Sequence, residues 1–172
     1  MIDQLNNPVW SALSSGNQTL AIGNDQAKYF QPGISPFAGV ANNDAMHFQA
    51  LKHLMNEHES VAVFTTDRNL DPNPWIIANR IDGYQMMFEG EMPTASPALS
   101  IVGLTEKHVP AMLELTQLSP PGPFMEETIR FGNYEGIFEG EQLVAMAGRR
   151  LHSGIYVEFQ RWNAVQQLKN GY

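Results

Sequence analysis

Cysteine is absent from the 172 residues, and that absence removes a disulfide scaffold, a thiolate zinc site and a cysteine nucleophile together. Positive charge is scarce: 10 Lys plus Arg stand against 18 Asp plus Glu, a formal net charge of -8. A chain without a basic field offers little to a phosphate backbone, so nucleic acid is not an expected partner. Long apolar runs are also missing. None approaches the ~20 residues that a membrane-spanning helix needs, and the opening Met1-Ile2-Asp3-Gln4-Leu5-Asn6-Asn7-Pro8 has neither a basic head nor an apolar h-region. No Gly-x-Ser-x-Gly occurs, which removes the nucleophile elbow of serine hydrolases. These absences lead us to expect a soluble, cytoplasmic protein with no membrane contact. What remains is 43% hydrophobic and long enough to bury roughly 70% of the unfolded chain's surface.

Apolar spacing predicts a short helix over Pro8 to Leu13 and a hairpin of Leu20–Ile22 with Ala27–Phe30, turned at Gly23-Asn24-Asp25. A third strand is expected at Phe37–Val40. Asn43-Asp44 caps a helix whose apolar residues Met46, Ala50, Leu51, Leu54 and Met55 recur to about Glu57. The β-branched run Ser60 to Thr66 reads as a largely buried strand. Asp71-Pro72-Asn73-Pro74 reads as a loop, and Tyr84–Glu89 as a strand entered through Asp82-Gly83. Met92 to Ser100, with Pro93 and Pro97 among small residues, is the candidate boundary between two halves.

After it the element order begins afresh. Thr105 caps a helix with Val109, Met112, Leu113 and Leu115 on its apolar side, stopped by Ser119-Pro120-Pro121-Gly122-Pro123. A short helix from Met125 to Phe131 precedes three strands, at Asn133–Phe138, Leu143–Gly148 and Ile155–Phe159. Gln160 to Tyr172 has no strong period, although Trp162, Val165 and Leu168 would stripe a terminal helix. The expected class is α+β, with a mixed, mostly antiparallel sheet flanked by helices.

Single residues offer less. His47, His53 and His58 are six and five residues apart, which does not gather them on one helical face as helical zinc ligands require, so they read as solvated and no metal is expected. Arg149 and Arg150 follow an apolar strand; they can hold an acidic acceptor or phosphate, but a solvated rim is the plainer reading. The nine methionines are spread as core filler. Trp10 and Trp75 read as packing residues, and Trp162 as exposed unless another chain covers it.

The stretch from Pro120-Pro121-Gly122-Pro123-Phe124 through Ile129-Arg130-Phe131-Gly132-Asn133-Tyr134-Glu135-Gly136-Ile137 and on to Glu141-Gln142-Leu143-Val144-Ala145-Met146-Ala147-Gly148-Arg149-Arg150-Leu151 resembles the GNAT superfamily of acetyl-CoA-dependent N-acetyltransferases. The likeness is to a branch with an added amino-terminal half, which Phe37–Val40 and Tyr84–Glu89 resemble. It implies a GNAT-like half over residues 1–96 and the first part of a GNAT acetyltransferase domain over 97–172.

It also implies transfer of an acetyl group from acetyl-CoA to a small primary amine, with Glu158 as the base that takes the amine proton. The family's Gly-rich pyrophosphate loop, whose backbone N–H groups and helix N-terminus face the phosphates, corresponds at best to Asn170, Gly171 and Tyr172 beside Lys169. Gln160 to Gln167 replaces the apolar strand expected before it, so the resemblance implies an acetyltransferase truncated just after Glu158. Missing strands would leave a sheet edge that a homodimer covers. Two rivals stay open: a non-catalytic remnant serving as a binding or dimerisation module, and a small-molecule binding protein using the cleft between halves.

Overall fold

Pro8 supplies the first turn of helix α1 (Pro8–Leu13), where its missing N–H costs nothing, and the helix turns Val9, Ala12 and Leu13 wholly inward. The computed structural model describes residues 4–55, 59–91, 100–118 and 122–163. Strands β1 (Ala21–Gly23), β2 (Ala27–Phe30) and β3 (Phe37–Val40) form an antiparallel meander, and β4 (Ala62–Val63) pairs parallel with β3. Between β3 and β4 lies helix α2 (Ala45–Leu54). All four residues of β3 are buried, because α1 covers one face of this sheet and α2 the other. Alternation does the sorting: Phe30 and Phe37 join Val9, Ala12 and Leu13 of α1, while Ala27, Ala38 and Val40 join Phe48 and Leu51 of α2.

The second sheet runs β5 (Val102–Gly103), β6 (Glu135–Glu139), β7 (Gln142–Ser153) and β8 (Tyr156–Asn163), all antiparallel. Two-residue turns join β6 to β7 and β7 to β8, with Gly140 at φ 62° and Gly154 at φ 64°, a conformation that favours glycine. Helix α3 (Val109–Leu118) buries Met112 and Leu115 against Leu104, Tyr134, Leu143, Met146 and Trp162. A 3₁₀ turn at Glu106–His108 leads into it, and the Thr105 N–H donates to His108 Nδ1 at 2.8 Å.

α1 also ties the first sheet to the second. Leu151 of β7 packs into the α1 core, and Ser153 Oγ donates to the Pro8 carbonyl at 2.7 Å. His152 N donates to Asn17 Oδ1 and Gly154 N to Ser15 Oγ, at 2.8 and 3.0 Å. These bonds fix the far end of the β7–β8 hairpin against the helix.

The class is the expected one, α+β with antiparallel-dominated sheets flanked by helices, and several elements depart from expectation. Only Ala62 and Val63 of the Ser60–Thr66 run form a strand, half-buried at best, because this parallel edge is left uncovered. Tyr84–Glu89 forms no strand, with Tyr84 99% and Met86 93% exposed; no sheet edge pairs with it among the described residues. Met125–Phe131 contains one 3₁₀ turn, Thr128–Phe131, rather than a helix. Gln160–Asn163 is strand, paired with β7, and Trp162 is buried rather than exposed. Met46, Met86, Met87 and Met125 are exposed, so the core-filler reading holds for Met112 and Met146 and fails for these. His47 is buried, not solvated. Glu57, His58, the 92–99 boundary, Val165 and Leu168 lie outside the described residues.

His47 is buried because it completes the α2 cap. Its N–H and its Nδ1 both donate to Asp44 Oδ1, at 3.0 and 2.7 Å, and Asn42 Nδ2 donates to its Nε2 at 3.2 Å. The side-chain bond first, then the backbone bond, holds the Asp44 carboxyl below its ordinary range. A depressed carboxyl stabilises the fold above its ordinary value and loses that effect as pH falls through the folded value. Asp44→Ala should therefore lower the melting temperature at pH 7 and do so less and less from about pH 4 downward; equal effects at pH 7 and pH 2.5 in thermal melts would overturn the cap assignment. A second test concerns α1: a Cβ on Gly39 would sit 2.5 Å from Trp10 N and 2.7 Å from its Cα. Gly39→Ala should cost about 3 kcal/mol in urea unfolding, since backbone on both sides must give way.

Candidate functional site

Strand alternation assembles one face of the β7–β8 hairpin from residues far apart in hydrophobicity. Register sets Met146 opposite Trp162 and Gly148 opposite Gln160. Arg150 follows inside the irregular stretch where the register shifts between Arg149 and His152, and its side chain still reaches Glu158 across the hairpin. Arg150 Nε donates to Glu158 Oε2 at 3.0 Å, and Arg150 Nη2 donates to Glu158 Oε1. Both carboxylate oxygens are thereby engaged, the two-point geometry that a planar guanidinium favours. Beneath the guanidinium lies the Phe37 ring of β3, 4.9 Å from its centre, an arrangement that attracts the cation to the ring face. The site therefore takes side chains from both sheets.

Tyr134, at the entry to β6, lays its ring across Gly148, where any Cβ would collide with it. Phe124 meets Tyr134 and Trp162 edge-on, with ring centroids 5.9 and 5.4 Å apart, and closes an aromatic floor beside the ion pair. Gly122 runs above: a Cβ on it would lie 3.3 Å from Gln160 Nε2 and 3.9 Å from Arg150 Nη1. Tyr134 Oη, Gln160 Oε1 and Trp162 Nε1 are all buried with no hydrogen-bond partner among the described residues. Burial pushes the Tyr134 hydroxyl above its ordinary range; the Arg150 charge opposes this and the Glu158 charge adds to it. At neutral pH the hydroxyl is a proton-bearing donor.

Glu158 thus stands on the strand expected for it and points into a polar cluster, but as the partner of Arg150. Arg150, expected at a solvated rim, is largely buried, because Phe37 and Glu158 together replace its water. Arg149 is exposed, with its guanidinium 6.0 Å from the exposed ring of Phe159. Asn170, Gly171 and Tyr172 lie outside the described residues. Tyr134, Gln160 and Trp162 were not singled out as site residues. The signal for Gln160 and Trp162 is period-2 alternation carried past Phe159, with Glu158, Gln160 and Trp162 on one side and Phe159 and Arg161 on the other; no local pattern marks Tyr134. Separately, an open groove of about 510 Å³ is lined by Leu104, Thr105, Glu106, Lys107, Ile129 and Arg130. Among the described residues no group of three His, Asp or Glu is placed to hold a metal ion. Nor is any helix among them long and apolar enough to cross a membrane.

No protein-family model matches this sequence, and no curated protein matches it. A solved structure does: a protein from Novosphingobium aromaticivorans whose name assigns it to the acetyltransferases of the GNAT family superposes with a TM-score of 0.73 and 22% identity. The match covers 93% of this chain and 71% of that one. It shows the fold of this chain to be the GNAT acyltransferase fold.

The raised Tyr134 value gives a signed test. The folded state keeps a proton that the unfolded chain gives up, so stability is complete below the ordinary phenol value and falls as pH rises above about 10. In melts from pH 8 to 11.5, Tyr134→Phe should flatten that fall and leave the neutral-pH melting temperature equal or higher, since it deletes an unpartnered hydroxyl. A variant that falls as steeply as the parent would overturn the assignment.

Proposed function

We propose that this chain carries an acetyltransfer site in which the acetyl group of acetyl-CoA passes to a small primary amine and Glu158 acts as the base. The observation that carries this reading is the placement of Glu158: it stands on β8 of a sheet with the GNAT acyltransferase fold, with its carboxylate partly open to solvent beside buried polar groups. An acceptor arriving as an ammonium ion gives one proton to Glu158. Its nitrogen then attacks the thioester carbonyl, the new C–N bond forms, the C–S bond breaks, and the second nitrogen proton goes to the departing CoA thiolate. The transfer as written needs no metal.

The residues present fit such a reactant pair. Tyr134 and Trp162 offer buried O–H and N–H donors without partners among the described residues, and Gln160 offers an acceptor, which suits a polarised carbonyl and an amine meeting on this face. The backbone around Asn170, Gly171 and Tyr172 is proposed to meet the pyrophosphate of CoA, by resemblance. The division into an amino-terminal GNAT-like half, 1–96, and the acetyltransferase portion, 97–172, belongs to the same proposal. So does a homodimer that covers a sheet edge.

A second reading, a binding or dimerisation module without catalysis, is favoured by one observation: Arg150 occupies both oxygens of Glu158, and a base so held takes no proton until it is released.

Thermal-shift titration with acetyl-CoA separates the two. A ligand at 100 times its dissociation constant stabilises the fold by about 2.7 kcal/mol, so a saturable shift is expected. Glu158→Gln should keep that shift and lower kcat for acetyl transfer by about 10²–10⁴-fold. A cooperatively melting protein that shows no shift would favour the module.

A further inference from the structure

The Arg150–Glu158 clasp has unequal halves. Arg150 is 12% exposed in its side chain and is seated on Phe37, which is itself buried; Glu158 is 37% exposed. If the clasp opens, the ring holds the guanidinium in place, and the carboxylate at the water side is the half that moves. Opening it with nothing to replace the carboxylate would leave a largely buried cation unpaired, which proteins tolerate poorly. The clasp therefore opens readily only to a ligand that brings its own anion.

The unpartnered atoms around it specify the rest of that ligand. Trp162 Nε1–H can only donate, and the Tyr134 hydroxyl is free to donate. Both are buried, and both lie on the face that carries Arg150. Gln160 Oε1 can only accept, and Gln160 is one step along the strand face from Glu158. The Tyr134 ring lies across Gly148, next to Arg150 in β7, so its hydroxyl and the guanidinium describe a carboxylate pocket, with the Trp162 N–H farther along the same face. An acceptor beside a freed glutamate describes an ammonium pocket.

We infer that the acceptor is a short amino carboxylate, whose carboxylate displaces Glu158 from Arg150 while its ammonium group pairs with the Glu158 it has released. The exchange conserves charge: one Arg–carboxylate pair replaces another, and Glu158 gains a cation in place of the one it lost. No covalent bond changes in this step. The inference rests on the reading of Glu158 as the base, and it deepens that reading by making the substrate the agent that frees the base. A simple amine lacks the anion and meets a closed clasp.

The test uses the unaltered full chain with matched pairs: glycine against glycinamide and methylamine, and β-alanine and 4-aminobutyrate against ethylamine and propylamine. Binding is read by thermal shift, and transfer from acetyl-CoA by release of free thiol. At least one amino carboxylate should shift the melting temperature saturably while its matched amine does not, and kcat/KM should favour it by about 10²-fold or more. Arg150→Lys should erase the preference by raising KM for the amino carboxylate, because a point charge cannot reproduce the two-point contact. The wild-type panel stands even if that variant folds poorly. Equal transfer to amines with and without a carboxylate would keep the acetyltransfer reading and overturn this inference. Saturable binding of an amino carboxylate without transfer would support the clasp and sink acetyltransfer. No shift with any amino carboxylate would overturn the inference.

Discussion

The seating of α1 between β3 and β7 is the contact on which the rest of the arrangement depends. One six-residue helix fills the face of the first sheet and receives the far end of the β7–β8 hairpin. The approach is close enough that Gly39 leaves no room for a Cβ against the Trp10 backbone, and Gly16 leaves none against the His152 ring. Polar bonds from Ser153, His152 and Gly154 then fix how far the hairpin can slide. That fixed offset brings Phe37, a residue of the first sheet, under the guanidinium of Arg150, a residue of the second. Without it Arg150 would be the solvated strand-end cation that its sequence context suggests.

A cation over a ring and a carboxylate across the strand make a stable pair, and stability is at odds with basicity. A glutamate held at two points is well placed and poorly available. Under the proposed reading, the neighbours of Glu158 govern when it could act as a base. Those neighbours, Tyr134, Gln160 and Trp162, bury polar atoms that have no partner among the described residues, a cost that folded proteins seldom carry without use.

Local elements with strong periodicity were legible from sequence: α1, the β1–β2 hairpin, β3, and the capped start of α2 all stand where spacing and turn residues put them. The class followed from these together with the hairpins at Gly140 and Gly154. Of the candidate site, the sequence names only Glu158, and that by resemblance. Arg150 was misread because its burial comes from Phe37, more than a hundred residues earlier, which no local window contains. β8 runs beyond the expected end at Phe159 because the polar Glu158 and Gln160 face inward there while the apolar Phe159 faces out, the reverse of the polarity that hydropathy expects at those three positions. Tyr84–Glu89 has a strand's composition, but a strand needs a neighbouring edge as well as a pattern.

That last segment has a colloidal consequence. Ile76, Ile81, Tyr84, Met86 and Phe88 lie in solvent along one extended stretch, the sort of surface that drives chains together. Asp71, Asp82, Glu89 and Glu91 are interspersed with or flank them, so mutual repulsion between acidic molecules opposes association through this stretch. The protein's pI is near 5.0, and as the medium approaches that acidity the repulsion fades while the apolar stretch is unchanged. Association through this stretch should therefore be strongest in mildly acidic, salty buffer and weakest where the carboxylates are fully charged and weakly screened.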